Sequence, residues 1–110
     1  MEAFVKAIIL FVLAGFAEIG GGWLIWQWVR GGRPWPLALL GALVLVSYGF
    51  IPTLQTSPFF GRIYAAYGGM FIVLSLAWGF LFDSFRPDWR DLLGAGVCLV
   101  GVMIIYFSPR

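Results

Sequence analysis

The chain has 110 residues, 62% apolar, 19% aromatic and 11% charged, with a formal charge of +2 and no histidine. A soluble domain carries about 25% charged and about 45–50% apolar residues, and a chain this small has no interior large enough to hide the surplus. The composition excludes a soluble globular domain, a nucleic-acid binder and any histidine-based triad or metal site, and it implies an integral membrane protein.

The first apolar run, Ala7 to Val29, is 23 residues long, enough for a helix to cross a hydrocarbon core of about 30 Å with some tilt. It follows a short polar start, residues 1–6, and the helix is expected over residues 4–29. The run is too long for a signal peptide, lacks a cleavage site and is followed by further apolar runs, so it is expected to remain as a span. Its one ionisable group is Glu18, at the midpoint. A charged residue at bilayer centre costs roughly 2.5–3.5 kcal/mol on insertion scales, so an acid there marks a functional site by default. The residues that share its helix face are Phe11, Ala14, Gly15, Gly21, Gly22 and Ile25, and four of these six are alanine or glycine. Such a face admits a close helix neighbour or leaves space for a ligand beside the carboxylate. Packing explains the glycines as well as a cavity does, but it does not explain the acid.

Gly31-Gly32-Arg33-Pro34 is a turn, and a second helix is expected over residues 35–54. Ser47 lies at a depth comparable to Glu18. A lone serine in a membrane helix usually bonds its own backbone one turn back; contact with a ligand or with Glu18 is the alternative. Pro52 should kink or end this helix. The third helix, expected over residues 62–82, carries Tyr64, Tyr67, Phe71 and Trp78 along one side, interleaved with Ala65, Ala66, Gly68 and Gly69. Aromatic stripes are usually packing, but a buried phenol wants a partner. Tyr64 is near an interface, where tyrosine needs no special reason, so Tyr67, a turn deeper, is the better ligand-site candidate. The charged loop from Asp83 to Asp91 reads as a solvated turn with helix-start chemistry at Pro87 and Asp88. The fourth helix, residues 89–107, is short for a span; Gly94, Cys98, Gly101 and Ile105 fall on one face. That seam suits helix–helix packing and is the candidate dimer contact. The single cysteine, Cys98, is expected to be a packing residue there.

The expected fold is therefore an all-α membrane protein, one domain over residues 1–110 with four transmembrane helices. Lys6, Arg62 and Arg110 fall on the side of the N-terminus, and Arg30, Arg33, Arg86 and Arg90 on the other. Three basic residues against four is barely a bias, whereas fixing an orientation needs a clear one. Insertion in both orientations and antiparallel pairing are expected. Trp26, Trp28, Trp35 and Trp89 gather on the first-and-third-loop side as an aromatic belt.

Ala17-Glu18-Ile19 followed by glycine, and the string Gly61-Arg62-Ile63-Tyr64-Ala65-Ala66-Tyr67-Gly68-Gly69, strongly resemble the YnfA-like family of small bacterial inner-membrane proteins. More distantly the chain is similar to the small multidrug resistance transporters, through the central Glu18, the Tyr64/Tyr67 step, and Gly94 and Gly101 in the fourth helix. The resemblance implies a homodimer, commonly antiparallel, in the bacterial inner membrane. It implies both glutamates at a shared site, export of cations in exchange for protons, and a dimer seam at Gly94 and Gly101. The aromatic lining departs from the multidrug branch. Tyr67 stands where those members usually have tryptophan, and Val44 where they often have tyrosine, so their substrate range is not carried over.

The chemistry expected is exchange. A carboxyl at membrane depth can hold a proton or a cation but holds both poorly, and aromatic faces add roughly 0.5–2 kcal/mol each for a lipophilic or planar cation. Glu18 is the expected proton- and cation-binding group, with Tyr64, Tyr67, Ser47, Phe71 and Gly22 as the expected lining. The expected partners are a second copy of the chain, a small organic cation, protons and the bilayer. Two other functions remain open: a carrier or channel for a small or guanidinium-like cation, and a non-transporting membrane assembly protein in which Glu18 is a structural hydrogen-bonding group. An enzyme is not expected, because the polar groups at membrane depth are too few for a nucleophile, a base and an orienting group. No cofactor or metal is implied.

Overall fold

The computed structural model describes residues 2–110; Met1, the first residue of the expected polar start, lies outside them. The architecture is all-helical: α1 (Glu2–Val29), α2 (Pro36–Phe50), a short 3-10 turn (Ile51–Leu54), α3 (Phe60–Phe82) and α4 (Trp89–Phe107). Four segments are long and apolar enough to cross a membrane: α1, α2 with its 3-10 extension, α3 and α4. The molecule is 49 Å in its longest dimension, which matches a bilayer of about 40–45 Å with its headgroups.

Local chemistry sets the ends. Gly32 takes φ +67° in the α1–α2 turn, a left-handed conformation that costs glycine nothing. Pro36 opens α2, where its missing N–H would have no helical partner. Pro52 removes a backbone donor, and the α-helix tightens there to 3-10. Asp88 caps α4 by accepting from the backbone N–H of Arg90 and of Asp91, at 2.9 and 3.0 Å. The Asp91 carboxylate returns the contact, accepting from Asp88 N–H at 2.9 Å. This reciprocal box begins α4 at Trp89.

The helices pack through the small residues. At the α1–α2 crossing, a Cβ on Gly21 would sit 2.9 Å from the carbonyl oxygen of Gly41, and one on Gly41 would sit 2.6 Å from that of Gly21. The two backbones touch, which only glycine allows. Gly15 abuts Leu74 of α3, and Gly69 of α3 abuts Val102 of α4.

The packed core occupies one end of the bundle. Ala7, Phe11 and Ala14 of α1 meet Ile63, Ala66, Tyr67 and Met70 of α3 and Val102 of α4. Phe11, 2% exposed, lies edge-on to Tyr106 with ring centroids 5.1 Å apart. Gln55, buried in the α2–α3 connection, donates to the Ala7 carbonyl at 3.2 Å and accepts from the Tyr106 hydroxyl at 3.4 Å. The end that carries the N-terminus, the α2–α3 connection and the C-terminus is thus the packed one. The end that carries the α1–α2 and α3–α4 loops is hollow.

Candidate functional site

Glu18 lies where the packed half of α1 gives way to the hollow half. The small residues Ala14 and Gly15 bring α3 close, and the Tyr67 ring crosses the gap. Tyr67 is 4% exposed, and its hydroxyl donates to Glu18 Oε1 at 2.5 Å. The Tyr67 hydroxyl oxygen also lies 3.2 Å from the carbonyl oxygen of Ala14. One phenol has one proton, and two acceptors compete for it; the shorter contact goes to the carboxylate, as expected for a charge-assisted bond. The Ala14 carbonyl also lies one turn before Glu18, within the helix ladder that Glu18 joins. Phenol, carboxyl and helix backbone therefore form one connected unit. Among the described residues the one ion pair is Arg90–Asp88, at 3.9 Å; Glu18 has no cationic partner.

Beside Glu18 opens a cavity of about 700 Å³. Its α1 wall is Glu18, Gly22, Trp23 and Trp26; its α3 wall is Phe71, Ser75, Trp78 and, at the loop end, Asp83. Leu45 of α2 closes part of the third side. A Cβ on Gly22 would meet nothing within 4 Å, so this glycine contributes space rather than contact. Four aromatic side chains, Trp23, Trp26, Phe71 and Trp78, line the cavity, and Tyr67 backs it. Trp23 and Trp78 stand edge to face with centroids 5.9 Å apart, and Tyr67 and Phe71 likewise at 6.3 Å. The cavity therefore offers two carboxyls, Glu18 half-buried at its inner end and Asp83 exposed at the loop end, no basic side chain in its lining, and π faces. That surface suits a delocalised or alkylated cation and has too few oxygens to replace the hydration shell of a small metal ion.

Of the residues singled out from sequence, Tyr67, Phe71 and Gly22 come together with Glu18. Tyr64 lies one turn away, its ring 6.3 Å from that of Tyr67, and lines a separate pocket of about 350 Å³ beside Gly49 and Pro52. Ser47 is exposed and its hydroxyl donates to the Leu43 carbonyl at 3.0 Å; it does not line the Glu18 cavity of this protomer. On α4, a Cβ at Gly94 or Gly101 would meet nothing within 4 Å, so neither glycine packs inside the chain. Cys98 is half-buried and turns its carbonyl toward Gly69.

Several lining or contacting residues escaped the sequence reading of the site, among them Asp83, assigned there to a solvated turn, and Trp78 of the third-helix aromatic series. Trp26, assigned there to the interfacial belt, lines the cavity, as do Trp23 and Ser75. Tyr48 of α2 stacks on Tyr67 with centroids 5.4 Å apart; its position beside Ser47, at the depth of Glu18, was the available signal. A tyrosine thus reaches the site from α2 although Val44 does not supply one.

Comparison with known proteins gives a consistent result along the whole chain. A family model described as "Uncharacterised BCR, YnfA/UPF0060 family" matches residues 4–110. A UPF0060 membrane protein of Desulfitobacterium hafniense (strain Y51) is 56% identical over 106 residues, covering 96% of this chain and 98% of its own. The UPF0060 membrane protein YfjF of Bacillus subtilis (strain 168) is 54% identical over 103 residues, covering 94% of each. One from Herpetosiphon aurantiacus is 57% identical over 111 residues and covers both chains fully. No solved structure matches.

Proposed function

The chain belongs to the YnfA/UPF0060 family of multi-pass membrane proteins, and we propose that it exports lipophilic or aromatic organic cations in exchange for protons at Glu18. The observation that carries this reading is a carboxyl without a cationic partner, held by a buried phenol, at the inner end of an aromatic cavity of about 700 Å³. Such a carboxyl takes a proton or an organic cation, and each displaces the other. Tyr67 can follow the exchange without leaving its place. It donates to the ionised carboxylate; when Glu18 is protonated, the acid donates to Tyr67 and the phenol proton turns to the Ala14 carbonyl.

The working unit in this proposal is an antiparallel homodimer. Support comes from the near balance of basic residues on the two sides and from the open glycines Gly94 and Gly101 on α4. Rocking of two protomers about a site at mid-depth would then expose it to each side in turn.

The test is proton release from purified protein in weakly buffered detergent as tetraphenylphosphonium or a quaternary ammonium is added near neutral pH, wild type beside Glu18→Gln. Saturable release from the wild type and none from the variant is the expected result. Absence of release from folded wild type across phosphonium, quaternary ammonium, guanidinium and planar aromatic cations would overturn the proposal. A second reading rests on the same hydrogen bond: Tyr67–Glu18 ties α1 to α3, as a structural glutamate would. In that case Glu18→Gln would weaken the fold or the dimer rather than transport.

A further inference from the structure

The outer end of the cavity holds a second carboxylate, which exchange at Glu18 does not by itself require. Asp83 lines the same cavity as Glu18. It is the C-terminal capping residue of α3, its backbone N–H donating to the Gly79 carbonyl at 3.0 Å. An acid is disfavoured at that end of a helix, where the macrodipole is already negative. No cation offsets it, since the one ion pair among the described residues is Arg90–Asp88. Nor is it needed to start α4, because Asp88 and Asp91 form that cap between them.

The surroundings give the carboxylate a use. The loop end carries Arg30, Arg33, Arg86 and Arg90, and its other acids, Asp88 and Asp91, are engaged in the α4 cap, Asp88 also pairing with Arg90. The arginines are in excess there, and of the three loop-end acids the one that lines the cavity is Asp83. From Tyr67, level with Glu18, to Asp83 is sixteen residues along the α3 axis, a rise of about 24 Å. No single small cation touches both carboxylates. Between them run Phe71, Trp78, Trp23 and Trp26. The Trp26 ring already accepts a planar cation outside the cavity lining: the Arg30 guanidinium lies over it, 4.8 Å from its centroid.

We infer that Asp83 is the outer receiving station of the cavity. It draws organic cations in at the loop end and passes them along the indole wall to Glu18. The inference rests on the exchange reading for its destination and adds to it the entrance and the residue that sets the capture rate. Its ligand class is cations with delocalised or alkyl-shielded charge, which lose little when water is replaced by π faces.

Three tryptophans line the path, so intrinsic fluorescence reports arrival. The experiment is stopped-flow mixing of the full chain with tetraphenylphosphonium, at low and at high ionic strength. Asp83→Asn is expected to slow association about threefold at low salt, and Asp83→Lys about tenfold. Both differences should vanish near 1 M salt, where the screening length falls to about 3 Å. Asp83→Glu, which keeps the charge, should restore the wild-type rate and show that the site still folds. Wild-type association rates for the Asn and Lys variants at low salt would overturn the assignment, and so would a slowing that salt does not remove. Glu18→Gln in the same series separates the two levels. If it retains saturable phosphonium binding, the exchange reading falls. If it loses binding while the Asp83 variants behave as wild type, the entrance assignment alone falls.

Discussion

Two adjacent glycines in α1 should respond to substitution in opposite ways. Gly22 lines the cavity one turn from Glu18, and a Cβ there would meet nothing within 4 Å. Gly21 faces α2, where a Cβ would sit 2.8 Å from Leu45 Cγ and 2.9 Å from the Gly41 carbonyl oxygen. Gly22→Leu adds four carbons to the cavity without a clash and removes a glycine from a helix interior, a gain of about 0.8–1 kcal/mol in propensity. It should therefore keep or raise the melting temperature while weakening tetraphenylphosphonium binding at least tenfold. Because the added atoms fill volume, a small guanidinium ion should be affected less than the phosphonium. Gly21→Ala should do the reverse. The leucine tip can shift but the Gly41 backbone cannot, so overpacking should cost about 1–3 kcal/mol, with cation affinity in the surviving folded fraction nearly unchanged. Thermal unfolding in detergent followed by near-ultraviolet circular dichroism, with tryptophan quenching for binding, reads both effects. Gly22→Leu protein that binds phosphonium as the wild type does would refute the assignment of this cavity. Equal tolerance of alanine at positions 21 and 22 would refute the account of the helix crossing.

Tyr67→Phe should destabilise the fold by about 1.5–3 kcal/mol, the range for a hydrogen bond to a charged group; in a Glu18→Gln background the cost should fall, and a double-mutant cycle on denaturant midpoints measures the difference. Asp88→Ala should cost about 0.5–2 kcal/mol through the lost cap, visible as faster amide exchange in the first turn of α4. Gly94→Ile with Gly101→Ile should leave helix content unchanged, because both positions are open within the chain, and under the proposed α4 pairing should shift light scattering in detergent from dimer to monomer, where the wild type scatters as a dimer.

The architecture was legible because bilayer spanning leaves few choices: long apolar runs, glycine and proline breaks, and charges at the ends. Glu18 was legible for the same reason, being the single ionisable group within its run. The small residues around it were ambiguous by sequence, and the structure divides them. Gly15 and Gly21 meet neighbouring side chains or backbone, whereas Gly22 opens on the cavity. Helical spacing cannot make that division, because it gives the face but not which neighbour arrives at each turn. Ser47 shows the same limit. Its depth matches Glu18, but its hydroxyl turns to the Leu43 carbonyl, and Tyr48, one position on, meets Tyr67 instead. Trp26 was assigned to the belt because interfacial tryptophan needs no further reason. It is 53% exposed and lines the cavity as well, since the belt and the mouth of the cavity lie at one depth.

The uneven distribution of packing along the bundle bears directly on the proposed dimer. A monomer that packs one end with Phe11, Tyr106 and the Gln55 network and leaves the other hollow presents its large cavity toward one side, whereas the proposed carrier needs access from both. An internal rearrangement would have to break the packed end, where Phe11 and Ala14 are almost fully buried, and move that core out of contact. A second copy inserted the other way up requires no such change. Its hollow end would lie beside the first copy's packed end, so each side of the membrane would face one cavity mouth and one packed end. The two Glu18 side chains, each near the middle of its span, would stay at one depth. The glycine face of α4 that no residue of this chain fills is then the surface on which that pairing would be built.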